Sequence, residues 1–257
     1  MGPVVLNRYF NSVLERKIDH SSLSKSENFN ILLTEHKGLT LVEKIANSVK
    51  NQIIKNSYPE KSRLDINLLA NHYGVSYGTV REALIGLVEE RYLIFSSTDG
   101  FRVAPMSIHE FRHIIELRKL LEVEALKNSI KNGDEKWEGD VMFSHHRLSS
   151  LENEFGIGKF EDYQMIELWG ILHSDFHASL LLACDSLLHI EFVGVLYKQS
   201  ERYLLSCLRN CDFSVKNLLD DHVLIRDAAI NRDIKHCCTL LNEHLEDTYD
   251  ALSRFIN

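Results

Sequence analysis

The hexapeptide "LHSDFH", residues 172–177, places His173 and His177 one helical turn apart. On a helix both imidazoles leave the same face. That arrangement serves two ends: a pair of nitrogen ligands to a divalent ion, or a pair of rings that pack. Thirteen histidines make chance pairs common, and His109 and His113 repeat the spacing. His222 and His244 extend the set. They lie in "DDHVLIRDAAINRDIKHCCTLLNEHL", which reads as two helices joined by a short turn. In an antiparallel pair those two positions can face each other across a core. Arg118 and Glu122, in "ELRKLLEVEAL", form a further couple four apart. On a solvated face they are an ion pair of little energetic weight. Pointing inward, Arg118 would meet an anionic ligand, because a guanidinium grips a carboxylate through two hydrogen bonds.

The elements that must position these groups are mostly helical. Three prolines and twelve glycines punctuate 257 residues, and apolar residues recur at spacings of three and four. In "TLVEKIANSVKNQIIKN", Leu41, Ile45, Val49 and Ile53 line one face, and Thr40 with Glu43 has the spacing of a capping box. Two helices broken at Gly74 follow. "YLIFSSTDGFRVA" then predicts two short strands joined at Asp99-Gly100. Pro105 marks a boundary. From Ser107 to Gly133 the pattern is one long amphipathic helix. Further helices are expected around 136–153, 161–183, 186–208, 215–231 and 233–255, with "NGDEKWEGD" and "NEFGIGKFED" as loops. The expected organisation is an N-terminal extension over 1–38, a small mixed domain over 39–106 and an all-helical domain over 107–257.

Composition narrows the class. With 44% hydrophobic and 26% charged residues, the chain reads as folded and soluble. Apolar runs such as "ASLLLAC" are too short for a bilayer, and the N-terminus lacks the features of a signal peptide. Five cysteines without CxxC spacing suggest core packing and a reducing, cytoplasmic setting. The net charge of −8 is unevenly spread: residues 1–104 carry 13 basic against 11 acidic side chains, and residues 105–257 carry 16 against 26. The slightly basic half is the candidate for a polyanion.

Helix, helix, glycine turn, helix and hairpin is the order of a winged helix-turn-helix. The second helix of such a motif projects small or polar groups into the major groove and anchors itself by its apolar back. Leu69, Ala70, Val75, Val80, Ala83, Leu84 and Leu87 supply that back. Ser76, Tyr77, Gly78, Thr79 and Arg81 lie at the exposed N-terminal end. Arg63 and Arg102, with Gly100 in the wing, are placed to meet phosphates.

"LLANHYGVSYGTVREALIGLVEERYLI" followed by "TDGFRV" resembles the GntR family of bacterial transcription regulators, whose usual core is LA-x-x-x-GVS-R-x-x-VREAL-x-x-L-x-x-x-G-L. Residues 39–106 carry it strongly, and the later helices resemble the family's FadR-like branch. That branch implies a mainly α fold: a winged helix-turn-helix of three helices and a hairpin, then an all-helical, antiparallel effector-binding bundle. Tyr77 stands where an operator-contacting arginine is usual, and Asn67 at another commonly basic or polar position, implying an altered operator preference. In metal-binding members an Asp and three His hold one divalent ion. The resemblance puts His177, His222 and His244 on the histidine positions and His173 on the Asp position. A four-imidazole set suits zinc first, with nickel, cobalt and copper as alternatives. Asp175, two residues along the helix from His173, points to another face.

The expected function is a homodimeric regulator, most often a repressor, on a pseudo-palindromic double-stranded operator. Its bundle would bind a small carboxylate effector at Arg118 near the ion. A metal-sensing regulator without an organic effector is the alternative, and a metal-dependent hydrolase a more distant one.

Overall fold

The computed structural model describes residues 40–155, 163–210 and 216–256, and these fall into two compact units that divide between Pro105 and Met106. The extension over 1–38, residues 156–162 of the expected second loop, and Cys211 lie outside the described residues.

The first unit opens with α1 (Leu41–Ile54), started by the expected capping box. The Glu43 amide donates to Thr40 Oγ1 at 3.3 Å, and the Thr40 amide donates back to Glu43 Oε2 at 2.7 Å. Its buried residues are Ile45, Val49 and Ile54, while Leu41 is exposed. A strict four-residue spacing walks about 40° round a helix at each step, so the expected stripe drifts off the core. Then come β1 (Arg63–Leu64), α2 (Ile66–Tyr73), α3 (Tyr77–Glu89), β2 (Leu93–Ser96) and β3 (Gly100–Val103). Gly74 ends α2 at φ 66°, the left-handed conformation its lack of a Cβ makes cheap. Arg91 holds a similar angle, φ 62°, after α3. There the Tyr92 amide reaches Leu87 O and the Arg91 amide reaches Val88 O, closing the helix end.

β1 is an addition to the expected hairpin. The sheet runs β1-β3-β2, all antiparallel, with Arg63 opposite Arg102 and Phe95 opposite Phe101. Two residues are too few to show an alternating pattern, so only the partner strand reveals it.

The second unit is helical throughout its described residues: α4 (Ile108–Asn132), α5 (Glu135–Phe155), α6 (Tyr163–Leu181), α7 (Leu187–Asn210), α8 (Lys216–Ile230) and α9 (Ile234–Ser253). Helix α4 packs against α6, α7 and α9, and α5 against α6 and α8. Ser107 caps α4 as expected, its hydroxyl accepting from the Glu110 amide. "NGDEKWEGD", expected as a loop, is mostly helix. Asp134 accepts from the Trp137 amide at 2.9 Å, and α5 begins at Glu135. A charged, glycine-bearing stretch reads as loop until its cap is recognised. Arg232 locks this corner by donating to Ile130 O at 2.6 Å and lying over the Trp137 ring. Cys207, Cys237 and Cys238 are buried and unbridged, and burial pushes the Cys237 thiol up to about 12. No helix of the described residues is long and apolar enough to cross a membrane.

A Cβ at Gly133 would lie 2.4 Å from the Trp137 ring and 2.9 Å from Ser129 O. Gly133→Ala should therefore cost about 1–3 kcal/mol, the usual penalty of overpacking. Denaturant unfolding measures it, and unchanged stability would show the corner to be loosely packed.

Candidate functional site

In the first unit, α3 is anchored by Val80, Ala83, Leu84 and Leu87, all 2% exposed or less. Leu69 and Ala70 of α2 are also buried, and Val75 is half-buried. Ser76 is the N-cap of α3. Its hydroxyl accepts from the Thr79 amide at 3.1 Å and pairs with the Thr79 hydroxyl at 2.8 Å. These two hydroxyls therefore first start the helix. Tyr77, Gly78 and Arg81 are exposed beside them. A Cβ on Gly78 would meet only the Ser76 hydroxyl, at 3.7 Å, so the fold does not require glycine there.

The sheet register sets Arg63 directly across from Arg102. Residues opposite each other in an antiparallel pair share a face, and like charges there repel. Arg102 is partly committed, donating to Lys61 O at 3.1 Å and pairing with Asp99 at 3.6 Å. Gly100 takes φ 73°, which turns the hairpin. An exposed face carrying two opposed guanidinium groups suits a phosphate backbone, which would relieve the repulsion.

In the second unit, the four histidines expected as ligands converge. His173 and His177 come from α6, His222 from α8 and His244 from α9, and all four are buried. One ligand atom from each lies within 4.8 Å of every other. Nitrogens held tetrahedrally by one ion at about 2.0–2.1 Å stand about 3.4 Å apart, so the widest-set rings would turn inward by up to about 1.4 Å to close on it. His173 Nε2, His177 Nε2 and both ring nitrogens of His222 are buried without a hydrogen-bond partner among protein groups. Leaving a buried polar atom unpaired costs about 1–3 kcal/mol, and several together are a cost that a bound ligand would relieve. The donor chemistry fits a borderline transition ion and not magnesium or calcium. By contrast His109 and His113 have the same spacing, yet both are exposed and, among the described residues, draw no third ligand to them.

Burial holds His173, His177 and His222 well below their usual pKa, with the neighbouring imidazoles adding to the effect and Arg118 adding to it at His173 and His177. They are neutral at pH 7, the form that ligates. His173 Nδ1 lies 2.6 Å from the Tyr197 hydroxyl, and its ring stacks on Trp169. His244 Nδ1 pairs with Asp221 at 3.3 Å. Asp175 instead faces Arg147, as its position on α6 implies.

Arg118 points inward and is 5% exposed. Its Nε and Nη2 both donate to the carboxylate of buried Glu122, and Nη1 donates to Ser200 Oγ at 2.9 Å. A cavity of about 10 Å³, enough for one water, touches Arg118, Tyr197, Ser200, His173, His177 and His244. Tyr197, Trp169, Ser200 and Asp221 carried no signal in the sequence as members of this site. Their roles come from which helices pack together.

A winged helix-turn-helix followed along the chain by a helical unit that gathers four buried histidines is the make-up of a DNA-binding transcription regulator. Residues 41–103 match the family described as bacterial regulatory proteins, gntR family, and residues 113–247 match the FCD domain. The HTH-type transcriptional regulator BphR of Paraburkholderia xenovorans is 35% identical over 84% of this chain and 86% of its own length. The HTH-type transcriptional repressor GlaR of Escherichia coli is 31% identical over 77% of this chain and 89% of its own. Among solved structures, McbR/YncC of Escherichia coli aligns over 85% of this chain and 100% of its own with a TM-score of 0.64 at 18% identity, which bears on fold alone. The chain belongs to the GntR family, in its FadR-like class with an FCD domain. Its families and relatives are regulators and not enzymes, so the hydrolase alternative falls.

The three depressed imidazoles of the cluster link stability to pH. The unfolded chain takes up protons below 6.5 that the folded one refuses. Their contribution is therefore complete above 6.5 and is lost as pH falls below it. Each such group tilts stability by up to about 1.4 kcal/mol per pH unit. Metal-free protein should melt at a steady temperature above about pH 7 and at falling temperatures below about pH 6.5. His222→Gln should flatten that fall, and an equally steep profile in the variant would detach the cluster from it.

Proposed function

We propose that this regulator is a ligand-responsive repressor whose FCD domain holds one divalent transition ion, zinc first, on His173, His177, His222 and His244. The observation that carries this is the convergence of four buried imidazoles with unpartnered nitrogens. Bound there, an ion would supply a fixed positive charge and a Lewis-acidic point able to attract an anion. The chain's own groups do the rest. Tyr197 and Asp221 orient two of the rings, and Trp169 supports one of them. Arg118 stands on the same cavity as three of the histidines, so a small carboxylate could bridge toward it.

Removing ligands tests the site. Wild-type protein purified without added metal or chelator should carry about one ion per chain by elemental analysis, and the His222→Ala/His244→Ala variant close to none. Equal metal in both would end the four-histidine assignment.

The metal-sensing alternative draws support from one observation. Arg118 is already engaged by Glu122 and Ser200, and the adjoining cavity admits a water and no more. An organic effector must open that cavity and compete with Glu122, whereas an ion needs neither. Operator binding measured with metal alone, and with metal plus small carboxylates, separates the two.

On the DNA side, the repressor is proposed as a cytoplasmic homodimer on a pseudo-palindromic operator, each protomer reading one half-site. Helix α7 leaves Leu188, Phe192 and Val195 exposed at helical spacing, which supports burial against a second copy. Ser76, Tyr77, Gly78 and Thr79 form the reading end of α3, while Arg81 beside them and Arg63, Gly100 and Arg102 meet phosphates. The glycine at 78 costs the helix about 1 kcal/mol relative to alanine, and the open space around it favours close backbone approach to DNA. Arg81→Ala should weaken binding to duplex DNA of any sequence and lower the log–log salt slope by about one. Fluorescence anisotropy across a salt series reads this, and an unchanged slope would remove Arg81 from the phosphate contacts.

A further inference from the structure

We infer that Tyr197 is the positioning residue for His173: its hydroxyl accepts the Nδ1–H hydrogen bond and so commits Nε2 to the ion. This rests on the four-histidine reading above. The two groups are 2.6 Å apart and both are buried, Tyr197 at 4% and His173 at 5% exposure. An imidazole that gives one nitrogen to a metal keeps its proton on the other, and the acceptor of that proton fixes tautomer and ring angle. Tyr197 is that acceptor. The free nitrogen, Nε2, is the one left without a partner. Trp169 clamps the ring from its face, with centroids 4.5 Å apart at 22°, so His173 is held against both rotation and tilt. His222 has neither nitrogen pinned, which makes the contrast with His173 specific.

The choice of a phenol has a further physical basis. The Arg118 guanidinium lies over the Tyr197 ring, 4.8 Å from its centroid, and Ser200, one turn on, binds the same guanidinium. A carboxylate in place of Tyr197 would be drawn to Arg118. A phenol serves both neighbours, offering its face to the cation and its oxygen to the imidazole. An imidazole ligand brings a second nitrogen that must be satisfied, and Tyr197 satisfies it at His173.

The test uses the full chain, stripped of metal and titrated with cobalt(II), with the visible d–d spectrum and chelator competition as readouts. Tyr197→Phe keeps the ring, its packing and its face toward Arg118, and removes only the hydroxyl. The variant should still take one ion per chain, bind it about 10–100-fold more weakly and show an altered cobalt spectrum. Gln199→Ala, a change on the same helix at a residue that does not line the cavity, should bind as wild type does. A Tyr197→Phe protein identical to wild type in affinity and spectrum would overturn the inference alone. An equal loss in Gln199→Ala would overturn it too, because the effect would belong to that stretch of α7 in general. Wild-type protein that takes up no cobalt would overturn the four-histidine reading, and the inference with it.

Discussion

Four imidazoles share one buried core, and several of their nitrogens have no protein partner. A domain's whole stability is about 5–15 kcal/mol, and each buried polar atom left unpaired costs about 1–3 kcal/mol. The bundle is arranged around that expense. Helices α6, α8 and α9 supply the rings, while α4 packs beside α6 and α9 and carries Arg118. An outer layer of Tyr197, Trp169 and Asp221 fixes the rings that would otherwise turn freely. A group accepting four lone pairs at once is the simplest way to remove the expense.

Charge follows from the same choice of side chains. With no carboxylate among the four proposed ligands, a bound ion would keep its full positive charge. The nearest buried ionic pair, Arg118 with Glu122, is neutral as a unit and so does not offset it. Asp221 is near but only partly buried. Such a centre favours an incoming anion, while the pairing of Arg118 makes that anion compete for its guanidinium.

The DNA-reading unit solves a different problem, the display of polar groups on a rigid frame. Apolar residues of α2 and α3 fix the frame, and the Ser76 cap starts α3 where its exposed end must be. The short strand β1 then determines that Arg63 stands opposite Arg102. Two like charges in register are tolerable when a polyanion is the intended neighbour.

Much of this was legible in the residues themselves. The Thr40 and Glu43 capping box, the left-handed break at Gly74, the cap at Ser107 and the helical period are local, and local patterns survive in a linear sequence. The GVS and TVREAL run gave the family resemblance that the comparisons with known proteins support. The spacing of His173 and His177 was not enough by itself, since His109 and His113 share it on an exposed face. What separated the two pairs was packing between helices distant in the chain, which brought His222 and His244 to one pair and, among the described residues, no third candidate ligand to the other. Tyr197, Trp169, Asp221 and strand β1 were silent for the same reason. A hydrogen bond to a ring nitrogen, or a two-residue strand, has no periodicity of its own and exists only once its partner is in place. Sequence thus determined the elements and the residue types available to the site; tertiary structure decided which nitrogens were left facing one another, because that depends on long-range contacts.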